Sequence, residues 1–203
     1  MNDETDLLMK RFWNNCYPSF AHLTPRKKYP KELYKKYFNL KNKIVLDFGG
    51  GGGHLGKFLF DEFKIAKYVD IDISERSLSV AKKTLKGYNA YFCLNINQSF
   101  ELYKADFLLC RAVIHHFPNV EYLNNFLSNV NDSKIADLLL SIKSCTNENY
   151  KFIEDSYKKN ILAVRSSCLV HPDYISEKLT NYSFIHKHGV HNQYSLIFKL
   201  ISL

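Results

Sequence analysis

The sequence predicts an α/β protein: a three-layer sandwich on a mostly parallel seven-stranded sheet, with an antiparallel last strand and a short N-terminal helical cap. Three observations carry this expectation. From Lys43 to Ile142, short β-type runs alternate with helical patterns, the rhythm of parallel strands joined by crossover helices. Five consecutive glycines, Gly49 to Gly53, stand between the first such run and the first helix of the series. The chain then closes with two β-type runs, Tyr182 to His186 and Tyr194 to Ile201, split only by KHGVHNQ. No helix fits in so short a connection, so these two runs pair antiparallel.

Each element follows from its pattern. Residues 1–42 read as a helix, a loop broken by Pro18, Pro25 and Pro30, and a second short helix, KELYKKYFNL; they form a cap segment, with the main domain spanning 43–203. In that domain Lys43–Phe48 is the first strand and His54–Phe63 the first helix. Ala66–Ile73 and Glu75–Leu85 repeat the unit, Asn89–Leu94 and Ala105–Cys110 are the third and fourth strands, and Val120–Val130 is a helix. Ala136–Ile142 is the fifth strand, and Pro172–Leu179 a helix before the final pair. There are no internal repeats, and 203 residues with 46% hydrophobic content suit one globular domain with a small appendage.

The glycines ask for an explanation, because glycine loses more conformational freedom on folding than any other residue. A linker belongs between domains, yet both flanks here are tightly patterned elements. In an open α/β sheet, ligands bind beyond the carboxyl ends of the strands, which is where this run falls. It can be read in two frames. Gly51 to Gly56, GGGHLG, fits the dinucleotide pattern G-x-G-x-x-G. Asp47, Gly49, Gly51 and Gly53 fit D-x-G-x-G-x-G. The second frame ends the strand on a carboxylate, which suits a ligand carrying an ammonium group.

With VLDFGGGGG, YVDIDISERSLSVAK, CLNIN and ADFLLCRAVIHHF in that order, the chain from about Lys43 onward resembles the class I S-adenosylmethionine-dependent methyltransferases, which have a Rossmann-like fold, and within them the small-molecule branch. The antiparallel last strand is also a mark of that family. The resemblance implies S-adenosylmethionine as cofactor. It implies that Asp47, Gly49, Gly50, Gly51 and Gly53 bring the backbone up to the methionine part, and that the next helix N-terminus faces its carboxylate. Asp72, 25 positions after Asp47, would hold the ribose hydroxyls, with Ser74 rather than Asp72 capping the following helix. Ile73 would cover one adenine face, with Asn95 and Ile96 at the adenine edge; the family often has an aspartate where this chain has Asn95. Cys110 and Arg111 would form the floor under the sulfonium.

Methyl transfer to an alcohol needs a general base, and an amine must arrive deprotonated. His115 and His116 follow the fourth strand directly, and the last-hairpin connection carries His186, His188 and His191, with His171 before a helix start. Imidazole suits base work near neutral pH. The order of candidates is His116, then His115, then His191. HKHGVH matches no strong metal motif, and no metal is expected. Phe12, Trp13, Tyr17, Phe20, Tyr29, Tyr34 and Tyr37 of the cap either line an acceptor pocket or pack the cap onto the sheet. Tyr150, Tyr157, Arg165 and Ser166 fall in a long segment expected to form the other wall.

The expected activity is therefore methylation of a small molecule, on oxygen in preference to nitrogen, with a sugar, nucleotide-sugar or secondary-metabolite hydroxyl as acceptor. Three other readings stay open. The net charge of +8 raises an RNA or tRNA methyltransferase, but the lysines are scattered and no N/D-P-P-Y/F motif follows the fourth strand, so a nucleic-acid partner is not expected. GGGHLG raises a nicotinamide-dependent dehydrogenase, against which Asp47 and the short chain argue. The third is a non-catalytic cofactor-binding module. The N-terminus lacks a basic-then-apolar signal, no apolar run reaches a membrane span, and five cysteines without C-x-x-C spacing suit a reducing cytoplasm. The sequence leaves the oligomeric state open.

Overall fold

The computed structural model describes residues 3–16, 29–94, 96–143, 169–190 and 193–201. The elements are α1 (Asp3–Arg11), a π-helical turn (Phe12–Cys16), α2 (Lys31–Tyr37), β1 (Ile44–Phe48), α3 (His54–Phe63), β2 (Lys67–Ile71), α4 (Glu75–Thr84) and β3 (Ala90–Cys93). They continue with β4 (Phe107–Cys110), α5 (Val120–Ser133), β5 (Asp137–Lys143), α6 (Pro172–Lys178), β6 (Tyr182–Val190) and β7 (Gln193–Leu200). Single turns of 3₁₀ helix at Phe100–Tyr103 and Ile114–His116 flank β4.

The seven strands form one sheet in the order β3-β2-β1-β4-β5-β7-β6. β1 to β5 are parallel; β7 runs antiparallel to both β5 and β6. The strand order reverses between β1 and β4, each of which pairs with the other. A crevice opens at the carboxyl ends of strands at such a point.

The central strands β1, β2, β4 and β5 are buried on both faces, as parallel strands covered by helices must be. Leu46, Val69, Leu108, Leu140 and Phe198 pack with Phe117, Phe126 and Ile175 from the α5–α6 side. Val45, Tyr68, Leu109, Leu139 and Ile197 pack with Tyr34, Phe38 and Leu59 from the α2–α3 side. Local signals place the helix starts. Ser74 caps α4 by accepting from the Ser77 amide, as expected, and Asn119 caps α5 by accepting from the Tyr122 amide.

Two expectations are adjusted. KHGVHNQ is not a connection: β6 runs on through Val190, and only residues 191–192 separate it from β7. Period-2 pairing with β7 carries the strand through Gly189, whose φ of +146° leaves no room for a side chain against Gln193. α2 stops at Tyr37 because Phe38 turns extended, its amide still bonded to the Tyr34 carbonyl. Tyr17, Phe20, Asn95, Tyr150, Tyr157, Arg165, Ser166 and His191 lie outside the described residues.

Candidate functional site

A cavity of about 1060 Å³ occupies the crevice at the carboxyl ends of β1, β2, β4 and β5. It exceeds the roughly 300–1,000 Å³ of ordinary small-ligand pockets, which leaves room for two ligands side by side.

One side is made by the loops after β1 and β2. Gly49, Gly50 and Gly51 line it, with Asp47 behind and Asp72 and Ile73 across. Gly49 is required by its surroundings: φ is +79°, and a Cβ there would lie 2.3 Å from the Val113 side chain. Gly53 does not line the cavity. It caps α3 at φ +72°, where a Cβ would press on Ala81 and Leu85, and so it sets how closely α3 and α4 approach. The first residues of α3, His54 and Leu55, reach the cavity, which turns the helix N-terminus towards it.

Asp72 is anchored rather than free. Its Oδ2 accepts from the Gly51 amide at 3.0 Å and its Oδ1 from the Ser74 amide at 2.8 Å. A carboxylate has about four acceptor sites, so capacity for a ligand hydroxyl pair remains, and the anchoring fixes its aim. Burial pushes Asp72 up to about 6, with the two amides pulling the other way. Asp47 is also pushed up to about 6 by burial, against the pull of the Tyr68 hydroxyl and the Arg111 guanidinium. Tyr68 donates to Asp47 Oδ2 at 2.5 Å from beneath the loop.

Asp70, opposite Asp47 in the β1–β2 register, is fully buried, and neither of its oxygens is in a well-formed hydrogen bond, the Gly50 amide being its polar neighbour. Burial, then Asp72 and Asp47, raise it well above the usual carboxylate range, which the Gly50 amide offsets only in part. Three buried carboxyl groups thus crowd one corner, a place that a bound cation would relieve.

The other side is made by β4, β5, β7 and the cap. Arg111, Ala112, Val113, His115 and His116 descend from the end of β4; Ser141 and Lys143 come from β5; His188 comes from β6; and Gln193, Tyr194 and Ser195 come from β7. His115 is buried and its ring lies 4.0 Å, centroid to centroid, from that of His116. Trp13 of the π-helical turn meets His116 edge-on at 4.9 Å. The cap is tied to the first side too: Asn14 Oδ1 accepts from Ser74 Oγ at 2.9 Å and the Arg76 amide at 3.2 Å, and Lys10 pairs with Glu75 at 2.8 Å.

Of the residues expected at the site, the cavity brings together Asp47, Gly49, Gly50, Gly51, Asp72, Ile73, Ile96, Arg111, His115 and His116. Cys110 does not line it; its side chain is fully buried in the α5-side core, where burial raises the thiol well above its usual range. His186 stacks on Tyr37 at 4.8 Å, and His171 caps α6. Tyr34 and Phe12 are core, whereas Trp13 and Tyr29 line the cavity. Sequence reasoning missed His54, Ser141, Lys143, Gln193, Tyr194 and Ser195. The period-2 alternation of β5 and β7 was the available signal: Ser141 and Lys143 interrupt an otherwise apolar strand at alternate positions. Among the described residues, no group of three or more His, Cys, Asp or Glu is placed to hold a metal, and no helix is long and apolar enough to cross a membrane.

Residues 46–133 match the family model of a methyltransferase domain. No curated protein sequence matches the chain. Solved structures do. The S-adenosylmethionine-dependent methyltransferase from Anabaena variabilis ATCC 29413 superposes with a TM-score of 0.69 at 15% identity, over 97% of this chain and 95% of that one. Magnesium protoporphyrin IX methyltransferase from Synechocystis PCC 6803, solved with S-adenosylhomocysteine bound, gives 0.63 at 18% identity over 96% and 97%. Mitomycin 7-O-methyltransferase gives 0.59 at 13% identity, over 84% of this chain and 53% of that one. At these identities the likeness is one of fold.

Proposed function

We propose that the chain is a class I S-adenosylmethionine-dependent methyltransferase that methylates a hydroxyl oxygen of a small molecule held between His116 and the cap, a reading supported by the methyltransferase-domain match of residues 46–133 and by the likeness of fold. The observation that carries this is the division of one cavity into two sides. An anchored carboxylate and a glycine loop stand at the β1–β2 end, and a histidine pair under Trp13 stands at the β4 end.

S-adenosylmethionine supplies an activated methyl group on a sulfonium. The residues present suit it: all three line the cavity, where Asp72 would hold the ribose hydroxyls, Ile73 and Ile96 would flank the adenine, and the buried acids favour a cation. The protein's own work is positioning and proton removal. His116 would take the proton of the acceptor hydroxyl, leaving its oxygen nucleophilic for the methyl group that the cofactor would supply. His115, buried against it, holds the ring in place, and Trp13 closes the site against water. A hydroxyl on a sugar, nucleotide-sugar or secondary metabolite fits this chemistry.

The test is transfer of labelled methyl from S-adenosylmethionine into a low-molecular-weight cell extract, with tRNA as the comparison. Label should enter the small-molecule fraction. In His116→Ala the rate should fall about 10²- to 10⁴-fold with S-adenosylhomocysteine affinity retained. A drop of less than tenfold removes His116 as base. Label in tRNA alone removes the small-molecule reading.

A further inference from the structure

The cavity separates its charges. Among the described residues that line it, the acids are Asp47 and Asp72, both at the β1–β2 end. The fixed cations are Lys143, at the end of β5, and Arg111, which follows β4 and stands close enough to Asp47 to pull on its carboxyl, at the boundary of the two ends. The register makes this a strip. Cys110 pairs with Leu140, so Arg111 emerges beside Ser141, one strand spacing of about 4.8 Å away, and Lys143 lies two residues further along β5, about 6.6 Å beyond Ser141. Lys143 pairs with Gln193 and Ser141 with Ser195, which in turn pairs with His188. Residues directly opposite on paired strands share a face, so the strip continues across β7 to β6, and among the described residues no acid lies in it. The Ser141 and Ser195 hydroxyls lie 3.3 Å apart. The Arg111 guanidinium sits 5.6 Å from the centre of the Tyr29 ring, and Trp13 and Tyr194 line the same cavity from the opposite side of the sheet.

We propose that the acceptor carries an anionic group on a planar ring, with the anion seated between Arg111 and Lys143 and the ring between the aromatic walls. This deepens the methyltransferase reading above and rests on it. A guanidinium presents parallel N–H donors that match a carboxylate or phosphate, and Lys143 adds a point charge. Hydroxyls and the Gln193 amide in the same strip can satisfy the remaining oxygen lone pairs. The arrangement also gives the acceptor a direction. With its anion at β5 it presents the opposite edge of the ring towards β4, where His116 stands.

The full chain, saturated with S-adenosylhomocysteine, would be titrated with 4-hydroxybenzoate, phenyl phosphate and neutral 4-hydroxybenzamide. At least one of the two anions should bind about tenfold or more tightly than the amide, and the tighter one names the group. The preference should collapse in Lys143→Met, persist in Lys143→Arg, and leave S-adenosylhomocysteine affinity unchanged in both. Arg111→Met should lower the preference as well. Equal binding of all three probes overturns the proposal, as does a preference that survives both methionine variants. If Arg111→Met weakens S-adenosylhomocysteine instead and spares the preference, Arg111 serves the cofactor's carboxylate and the proposed seat is wrong. Failure of S-adenosylhomocysteine to bind at all strikes the methyltransferase reading; its binding without anion preference strikes only this one.

Discussion

The two sides of the cavity are assembled by different rules. The β1–β2 side comes from a short stretch of chain, Asp47 to Ser77, in which each functional residue sits in or beside a tight loop. The β4–β5–β7 side draws on residues from Trp13 to Ser195, brought together only by sheet order and register. The first side is acidic, deeply buried and tied down by backbone amides. The second is cationic and imidazole-rich, and it is made of side chains that reach out from strand ends. A ligand common to many proteins calls for a fixed local cradle, while a particular acceptor calls for side chains that can be exchanged one at a time without disturbing the loops.

The largest expected effect would break the division outright. Asp72→Ala removes the carboxylate proposed to accept from two ligand hydroxyls, and hydrogen bonds to charged groups contribute about 1.5–3 kcal/mol each. S-adenosylhomocysteine affinity, measured by calorimetry, should fall about a hundredfold, while probe binding on the strip changes little. If Asp72→Ala binds S-adenosylhomocysteine as the native chain does, the acidic side is not the cofactor's side and the assignment of both halves must be reversed.

The next effect separates the halves by pH. Asp47 and Asp72 are both held up at about 6 by burial. A ligand bearing an ammonium group, or one that donates hydroxyls, prefers the ionised carboxylates, so protonation competes with binding. With one such acid controlling the site, affinity at pH 5 should be on the order of tenfold weaker than at pH 7.5, and binding near pH 6 should release protons. Calorimetry in buffers of different ionisation enthalpy reads this directly. A flat profile between pH 5 and 7.5 would mean that neither acid changes its charge state when ligand arrives.

The same contrast explains what the sequence could and could not show. The glycine loop, Asp47, Asp72 and the Ser74 cap were legible because each depends on neighbours within a few residues. Asp72 was misjudged only in detail: it was expected to be free, but the Gly51 amide that anchors it comes from another loop, at a distance that only the β1–β2 register sets. Cys110 reads as floor by its position at a strand end, yet strand alternation turns it into the α5-side core. Lys143 and Ser195 carried no motif at all. Their meaning lies in which strands are neighbours, and the insertion of β7 between β5 and β6 is a tertiary fact. The extension of β6 through Gly189 was hidden for a related reason, since glycine and histidine are weak strand formers that pairing overrides.

The smallest effect concerns Asp70, which belongs to the acidic side by position but has no ligand to meet. Fully buried, with only the Gly50 amide to offset its charge, and facing Asp47, it costs the folded state free energy whenever it must ionise. Its folded value is raised above the ordinary 3.8. The folded protein therefore binds its proton more tightly than the unfolded chain does. The stability this contributes is present below about pH 4 and is lost as pH rises through the folded value. Asp70→Asn keeps the shape and removes the ionisation. It should match the native chain at pH 4 and melt higher at pH 7 to 8, by about 2–4 °C for each kcal/mol recovered in a chain of this size. A melting temperature equal or lower at pH 8 would mean that the carboxylate is satisfied in the folded protein. The loop after β1 would then rest on an ionised Asp70, and the crowding of three acids would no longer explain why this corner favours a cation.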